Sequence, residues 1–135
     1  MAASGDLYEK TSSQMMMDTA QANAELRRFA QEMMKDHTET TTRLTQAAQR
    51  AGVTPGTPQM VQQHQAMVEQ LRAASGAQRD QIYLTQQTQA HQQALALHQA
   101  YAQRGDKPAL REAAQHIAQE VQDHLQKLQR IRVGG

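Results

Sequence analysis

The chain has 135 residues, a length that supports one domain rather than two independent cores. Aromatic residues make up only 3% of it and hydrophobic residues 39%, whereas Gln and Ala contribute 24 and 22 residues. This composition excludes a β-sandwich, because sheets draw on β-branched and aromatic side chains, and it favours an all-α bundle. With 14 Lys and Arg against 13 Asp and Glu, and no Cys, the chain lacks the basic surface of a nucleic-acid-binding protein and any thiolate site.

Two helices are predicted in the N-terminal third of the chain. The first is expected over residues 6–22, after a disordered leader at 1–5. The second begins after Asn23, a residue type that caps helices, and ends at Gly52. Its apolar residues recur at three- and four-residue spacing, which is typical of an amphipathic helix with one buried face.

A proline- and glycine-containing loop separates these two helices from three more. The predicted segments are the loop at 53–58, a short helix at 58–75, and two long helices at 77–104 and 106–132. Residues 6–132 therefore form a single domain, with a frayed tail at 133–135. Three long helices and two shorter ones joined by short turns indicate an antiparallel bundle.

Three of the six histidines fall on the apolar faces of the three long helices. At 100° per residue, His37, His91 and His124 each lie within about 20° of an apolar neighbour on the same helix. A buried imidazole without a partner costs a few kcal/mol, so each needs a hydrogen bond, a metal ion or an aqueous pocket. One interior histidine is usually hydrogen-bonded to a neighbour. For three interior histidines on separate helices, two interpretations remain: they share one site, or each forms its own hydrogen bond.

If the three histidines converge, a divalent metal ion is their natural occupant. Imidazole suits Zn, Fe, Cu and Ni, and facing helices of a bundle are a usual place for such sites. Glu120 on the last helix and Glu9 on the first are the carboxylates expected to assist. His98, about 10 Å along its helix from His91, would have to serve another site, and His64 looks peripheral. No P-loop, dinucleotide motif, H-E-x-x-H or nucleophile elbow occurs, so no catalytic residue and no organic cofactor is expected.

Three stretches of the sequence resemble a known family. The run L-R-R-F-A-Q-E-M-M-K-D-H, which ends at His37, resembles the family signature V-K-x-F-A-x-x-M-x-x-D-H. The segment D-Q-I-Y from Asp80 resembles its F-D-x-x-Y, with Arg79 in place of the usual Phe. His91 and His124 match its central and closing histidines. The chain is similar to a bacterial periplasmic or outer-membrane-associated family with a domain of unknown function.

The resemblance covers roughly residues 6–131 and implies a ferritin-like helical bundle in the periplasm or cell envelope of a bacterium. Many members carry a signal peptide, and we expect that such a segment has been removed from this sequence. The matching positions are Glu9, Asp36, His37, Asp80, Tyr83, His91 and His124. Ferritin-like di-iron centres use Glu-x-x-His motifs, and none occurs here, so a mononuclear histidine-rich site is the better expectation.

Three functions stay open at this point. The first is a non-enzymatic envelope protein that binds Zn, Fe, Cu or Ni through the three histidines, with Glu9 or Glu120 assisting. The second is an envelope stress or interaction protein whose histidines only hydrogen-bond in the core. The third, ranked lowest, is a metal-dependent enzyme, which needs an open coordination position beside a substrate pocket. Neither nucleic acid nor a membrane-spanning segment is expected, and a second copy of the chain or an envelope protein are the candidate partners.

Overall fold

The computed structural model describes residues 2–19, 21–54 and 59–133, and it confirms the all-α prediction for them. Its helices are α1 Ala2–Met17, α2 Ala24–Arg50, α3 Gln62–Ala73, α4 Gly76–Arg104 and α5 Pro108–Arg130. No strand occurs within these described ranges. None of the helices is both long enough and apolar enough to cross a membrane, again for the described residues.

Local signals account for both ends of helix α2. The Asn23 side-chain oxygen accepts hydrogen bonds from the backbone N–H groups of Glu25 and Leu26, at 2.9 and 3.2 Å, and so caps the helix as predicted. At the other end Gly52 has a φ of 74°, the left-handed conformation that glycine adopts without strain. The Val53 N–H then bonds to the Ala48 carbonyl at 2.8 Å, which completes a Schellman ending.

Helices α1, α2, α4 and α5 form a four-helix bundle whose directions follow from the pairs that cross it. These pairs are Tyr8 with Gln86, Ser13 with Tyr83, Glu32 with Lys127, and Thr40 with Glu120. Ascending numbers in α1 meet descending numbers in α4, and the same holds for α2 and α5, so both pairs are antiparallel. Helices α2 and α4 therefore run the same way and need a long crossover, which contains α3. One long crossover in such a bundle is the connectivity of ferritin-like folds.

The N-terminal boundary differs from the sequence-based expectation. Residues 2–5, which we expected in a disordered leader, belong to α1. Ser4 anchors them because its buried hydroxyl accepts a hydrogen bond from the Val61 N–H at 2.8 Å and lies 2.5 Å from His64 Nδ1. Helix α1 also ends earlier than predicted, at Met17.

The crossover helix also begins later than the sequence suggests. The expected cap at residues 57–58 lies outside the described residues, and α3 starts only at Gln62. Its C-terminal end is held by Arg79, whose Nε donates to the carbonyls of Leu71 and Ala74 at 3.2 and 2.9 Å. The Arg79 guanidinium thus satisfies carbonyls at the end of this helix.

The dry core occupies the half of the bundle that contains the turn between α1 and α2. Its largest buried members are Met16, Leu26, Phe29, Met33, Leu71, Tyr83 and Leu128. Asp80 ties this end together, because its Oδ2 accepts a hydrogen bond from the Asn23 N–H at 3.2 Å. The other half of the bundle contains the histidines and a second, smaller apolar cluster of Tyr8, Val68 and Ala90.

Candidate metal centre

Three imidazole rings from three helices meet at the centre of the bundle. His37 comes from α2, His91 from α4 and His124 from α5. The ring centroids are 6.4 Å apart for His37 and His91, 6.3 Å for His37 and His124, and 5.4 Å for His91 and His124. One nitrogen of each ring lies within 4.8 Å of the other two. The structure thus brings together the three residues that the helical phases selected.

The outer nitrogen of each ring is fixed by a hydrogen bond to a protein oxygen. His37 Nδ1 donates to Asp6 Oδ1, and His124 Nε2 donates to Asp36 Oδ2, both at 2.8 Å. His91 Nδ1 donates to the backbone carbonyl of Gln87 at 2.8 Å. Carboxylate and carbonyl oxygens only accept, so these partners assign the ring proton to the outer nitrogen in all three histidines.

The inner nitrogen of each ring consequently carries a lone pair. His37 Nε2, His91 Nε2 and His124 Nδ1 are buried and have no hydrogen-bond partner among the described residues. Unpartnered buried polar atoms are rare in folded proteins because each costs the lost hydration of that atom. Three such atoms, on rings that each place one nitrogen within 4.8 Å of the others, form a nitrogen donor set of the kind that binds a cation.

The protonation of two of these rings is shifted by their surroundings. Burial lowers the pKa of His91 to about 3, and the positive charges that His124 and His37 would carry lower it further. Burial also lowers the pKa of His37, but the hydrogen bond to Asp6 and the negative charges of Glu9, Asp6 and Glu120 outweigh it, so the net shift is upward. His91 is therefore neutral at physiological pH, and a proton competes for His37.

Glu9 lies beside the three histidines, where the sequence suggested a fourth ligand. Its Oε1 is 3.7 Å from His91 Nδ1, on the side of the ring that already bonds to Gln87. Its Oε2 is buried without a hydrogen-bond partner in the described chain. Burial is the largest influence on its pKa, which is raised to about 7, although the positive charge of His37 acts in the opposite direction.

Glu120, the other carboxylate suggested as a ligand, has different neighbours. Its Oε2 accepts a hydrogen bond from Thr40 Oγ1 at 3.4 Å. Its carboxylate lies within 4.8 Å of those of Asp36 and Glu39, and this acidic group is separate from the three inner nitrogens. The structure therefore places Glu120 near the centre but not in the histidine group.

A cavity of about 320 Å³ opens next to the histidines, and all five helices contribute to its wall. His64 and His98 both line it. The sequence analysis placed both outside the histidine site. The angular position of a residue on its own helix does not show which other helices border the same cavity. His64 is buried, stacks on Tyr8 with ring centroids 5.5 Å apart and contacts Ser4. Five of the six histidines thus surround one cavity.

Phe29 covers the histidines on the side of the dry core. Its ring centroid is 5.9 Å from that of His91 and 6.2 Å from that of His124. Phe29 is only 3% exposed and belongs to the apolar cluster, whereas the three histidines line the cavity. The histidine group therefore packs against the apolar cluster through Phe29 and also lines the cavity.

The hydrogen-bond partners Asp6 and Asp36 were not assigned a role from the sequence. Asp6 lies 31 positions from His37, and Asp36 lies 88 positions from His124. Neither separation matches a motif within one helix, so no local spacing could identify these pairs. The position of Asp36 beside His37 in the family signature was the only available signal.

Fold and site together define a ferritin-like, all-α bundle with a histidine-rich centre. The chain belongs to the family described as domain of unknown function (DUF4142), whose model matches residues 1–131. This membership confirms the suspected family. No curated protein and no solved structure matches the chain at a significant level.

Proposed function

We propose that this bundle protein binds one divalent metal ion through His37 Nε2, His91 Nε2 and His124 Nδ1. The observation that supports this proposal is the different environment of the two nitrogens of each ring: the outer nitrogen donates to a protein oxygen, and the inner nitrogen is buried without a hydrogen-bond partner among the described residues. Histidine ligands of metals are almost always oriented in this way, by a carboxylate or a backbone carbonyl that accepts the second ring proton.

Water is a poorer occupant than a metal ion. A water molecule donates two hydrogen bonds, so it leaves one of the three lone pairs unmatched. A second proton on His37 competes more strongly with a metal ion than water does, because Asp6 helps to raise the pKa of this ring. A divalent ion satisfies all three nitrogens at once, and the carboxylates of Asp6, Asp36 and Glu9 supply compensating negative charge around it.

Zinc is the ion that we propose first. Three histidines with a fourth, exchangeable position are an established zinc site, and the described site contains no sulfur ligand that would favour a softer ion. Zinc–nitrogen bonds of about 2.0 Å place two ligand nitrogens of a tetrahedral ion about 3.3 Å apart. One nitrogen of each ring lies within 4.8 Å of the others, so each separation has to shorten by at most about 1.5 Å to bind the ion. Iron, copper and nickel also accept imidazole and are the competing ions.

The cell envelope of a bacterium is the location that we propose, on the basis of the family resemblance. A role without catalysis, such as holding a metal ion, is consistent with the absence of any catalytic motif from the sequence. The competing interpretation, in which the histidines only hydrogen-bond in the core, accounts for the outer nitrogens but leaves the inner three unexplained.

Metal analysis of tag-free protein tests the proposal. The wild type is expected to bind about one zinc ion per chain, and the triple variant His37→Ala, His91→Ala, His124→Ala is expected to bind none. His116→Ala is the matched control, because His116 is an exposed histidine on the same helix as His124. Equally low metal content in the wild type and the triple variant after incubation with zinc would remove the proposal.

A gentler variant keeps all three ligands. Asp36→Asn removes the charge that orients His124, and loss of such a partner typically weakens metal binding by about 10- to 100-fold. Asp123→Asn, an exposed position next to His124 in sequence, is its control. Competition with a chromophoric chelator measures both affinities, and an unchanged affinity in Asp36→Asn would contradict the assigned role of the carboxylate.

A further inference from the structure

The position of the cavity relative to the histidines determines what else the site can hold. Phe29 covers the group from the core side, and His37, His91 and His124 all line the cavity. Three protein ligands leave at least one coordination position of a tetrahedral ion open. All three histidines line the cavity, so a molecule bound in it can reach an open position on the ion.

The wall of the cavity combines polar and apolar side chains. Beside the histidines, Glu9 presents a buried carboxylate oxygen without a hydrogen-bond partner in the described chain. Small and aliphatic side chains also line the cavity, among them Ala90, Ala94 and Val121. The volume of about 320 Å³ lies at the lower end of the range for small-molecule sites, which starts near 300 Å³.

We propose that this cavity binds a small, mostly apolar molecule with a neutral, protic nitrogen or oxygen head. The head coordinates the metal ion in place of water, its hydrogen is donated to Glu9 Oε2, and the apolar body lies along the alanine-lined wall. No bond of the ligand breaks in this step. The inference rests on the proposed metal site and adds a ligand class to it.

Cobalt(II) in place of zinc makes the open position visible, because its absorption spectrum reports a change of ligand. O-Methylhydroxylamine and O-butylhydroxylamine serve as probes, since both are uncharged amines at neutral pH and differ by three methylene groups. Burial of each methylene is expected to tighten binding about fourfold, so the butyl compound binds roughly sixtyfold more tightly. Loss of the carboxyl acceptor in Glu9→Gln is expected to weaken both probes about tenfold.

Ala94→Phe tests the cavity without changing a ligand of the metal. The larger side chain fills the part of the cavity in which the apolar portion of the ligand is proposed to lie. Ala96→Phe, at an exposed position of the same helix, is the matched control. Cobalt content is expected to equal that of the wild type in both variants, and only Ala94→Phe loses the preference for the longer probe.

The two proposals fail in different ways. A wild type that takes up no cobalt or zinc contradicts the metal site itself. A wild type that binds cobalt, but whose spectrum responds to neither probe, overturns the ligand inference and leaves the metal site in place. The same holds for equal affinities of the methyl and butyl compounds, or for identical titrations of Ala94→Phe and Ala96→Phe.

Discussion

Glu9 and His91, neighbours at the centre of the bundle, make opposite contributions to the pH dependence of stability in the metal-free protein. The pKa of His91 falls from 6.5 in the unfolded chain to about 3, so the unfolded state binds the extra proton and stability falls as the pH drops from 6.5 towards 3. The pKa of Glu9 rises from 4.5 to about 7, so the folded state binds the extra proton and stability increases as the pH drops from 7 towards 4.5. Between about pH 4.5 and 6.5 the two effects oppose each other.

Glu9→Gln is expected to expose the contribution of His91. On acidification from pH 6.5 to 4.5, the free energy of unfolding of this variant should fall more steeply than that of the wild type, by up to about 1.4 kcal/mol per pH unit. His91→Gln should change the slope in the opposite direction. Urea unfolding at a series of pH values, with a chelator present, measures both slopes. Parallel pH dependence in the wild type and the two variants would contradict the assignment.

At the scale of the helices, α2 depends on its first turn for its position. Asn23 caps it, and the backbone N–H of the same residue donates to Asp80 on α4. The side-chain Nδ2 also donates to the Arg132 carbonyl at 3.3 Å. One residue thus connects the start of α2 with α4 and with the end of the chain, at the end of the bundle away from the cavity.

Asn23→Ala is expected to lower the free energy of unfolding by about 1 kcal/mol, the usual cost of a lost helix cap. Asn23→Asp should recover most of that loss because Asp also caps helices. Ser75→Ala is the control, since Ser75 precedes α4 but its side chain makes no capping bond. Denaturant unfolding compares the three variants, and equal losses for Asn23→Ala and Ser75→Ala would refute the role of the cap.

Helical phase explains how much of the centre could be predicted from the sequence. His37, His91 and His124 each occupy the apolar stripe of a long helix, which predicted that they are interior, whereas their close approach depends on how the helices pack. Periodicity did not identify the partners Asp6 and Asp36, because those contacts depend on how two helices align. The sequence did not predict the cavity either. Ala90 and Ala94 are compatible with a buried helix face whether a neighbouring side chain packs against them or a cavity lies beside them.

At the scale of the whole molecule, the proposed ion links α2, α4 and α5, which together contain 79 of the residues in helices of the described chain. Among the His, Asp and Glu side chains of the described residues, no other group brings ligand atoms from all three helices within 4.8 Å of one another. An ion that binds only the folded state stabilises it by linkage, whatever the local contacts contribute.

Free zinc at 100 times its dissociation constant is therefore expected to increase the free energy of unfolding by about 2.7 kcal/mol. The triple histidine variant should show no such gain, and His116→Ala should show all of it. Urea unfolding with buffered zinc and with chelator gives the difference for each protein. A gain of the same size in the triple variant would assign the stabilisation to zinc bound elsewhere.

The bond from His91 to the Gln87 carbonyl makes the three ligands unequal under mutation. Side chains orient His37 and His124, so substitution of Asp6 or Asp36 removes an acceptor. The acceptor for His91 is main chain, present with any amino acid at position 87 as long as the helix persists. A single substitution at Asp6 or Asp36 can therefore misorient His37 or His124. His91 keeps its tautomer as long as α4 stays helical at Gln87.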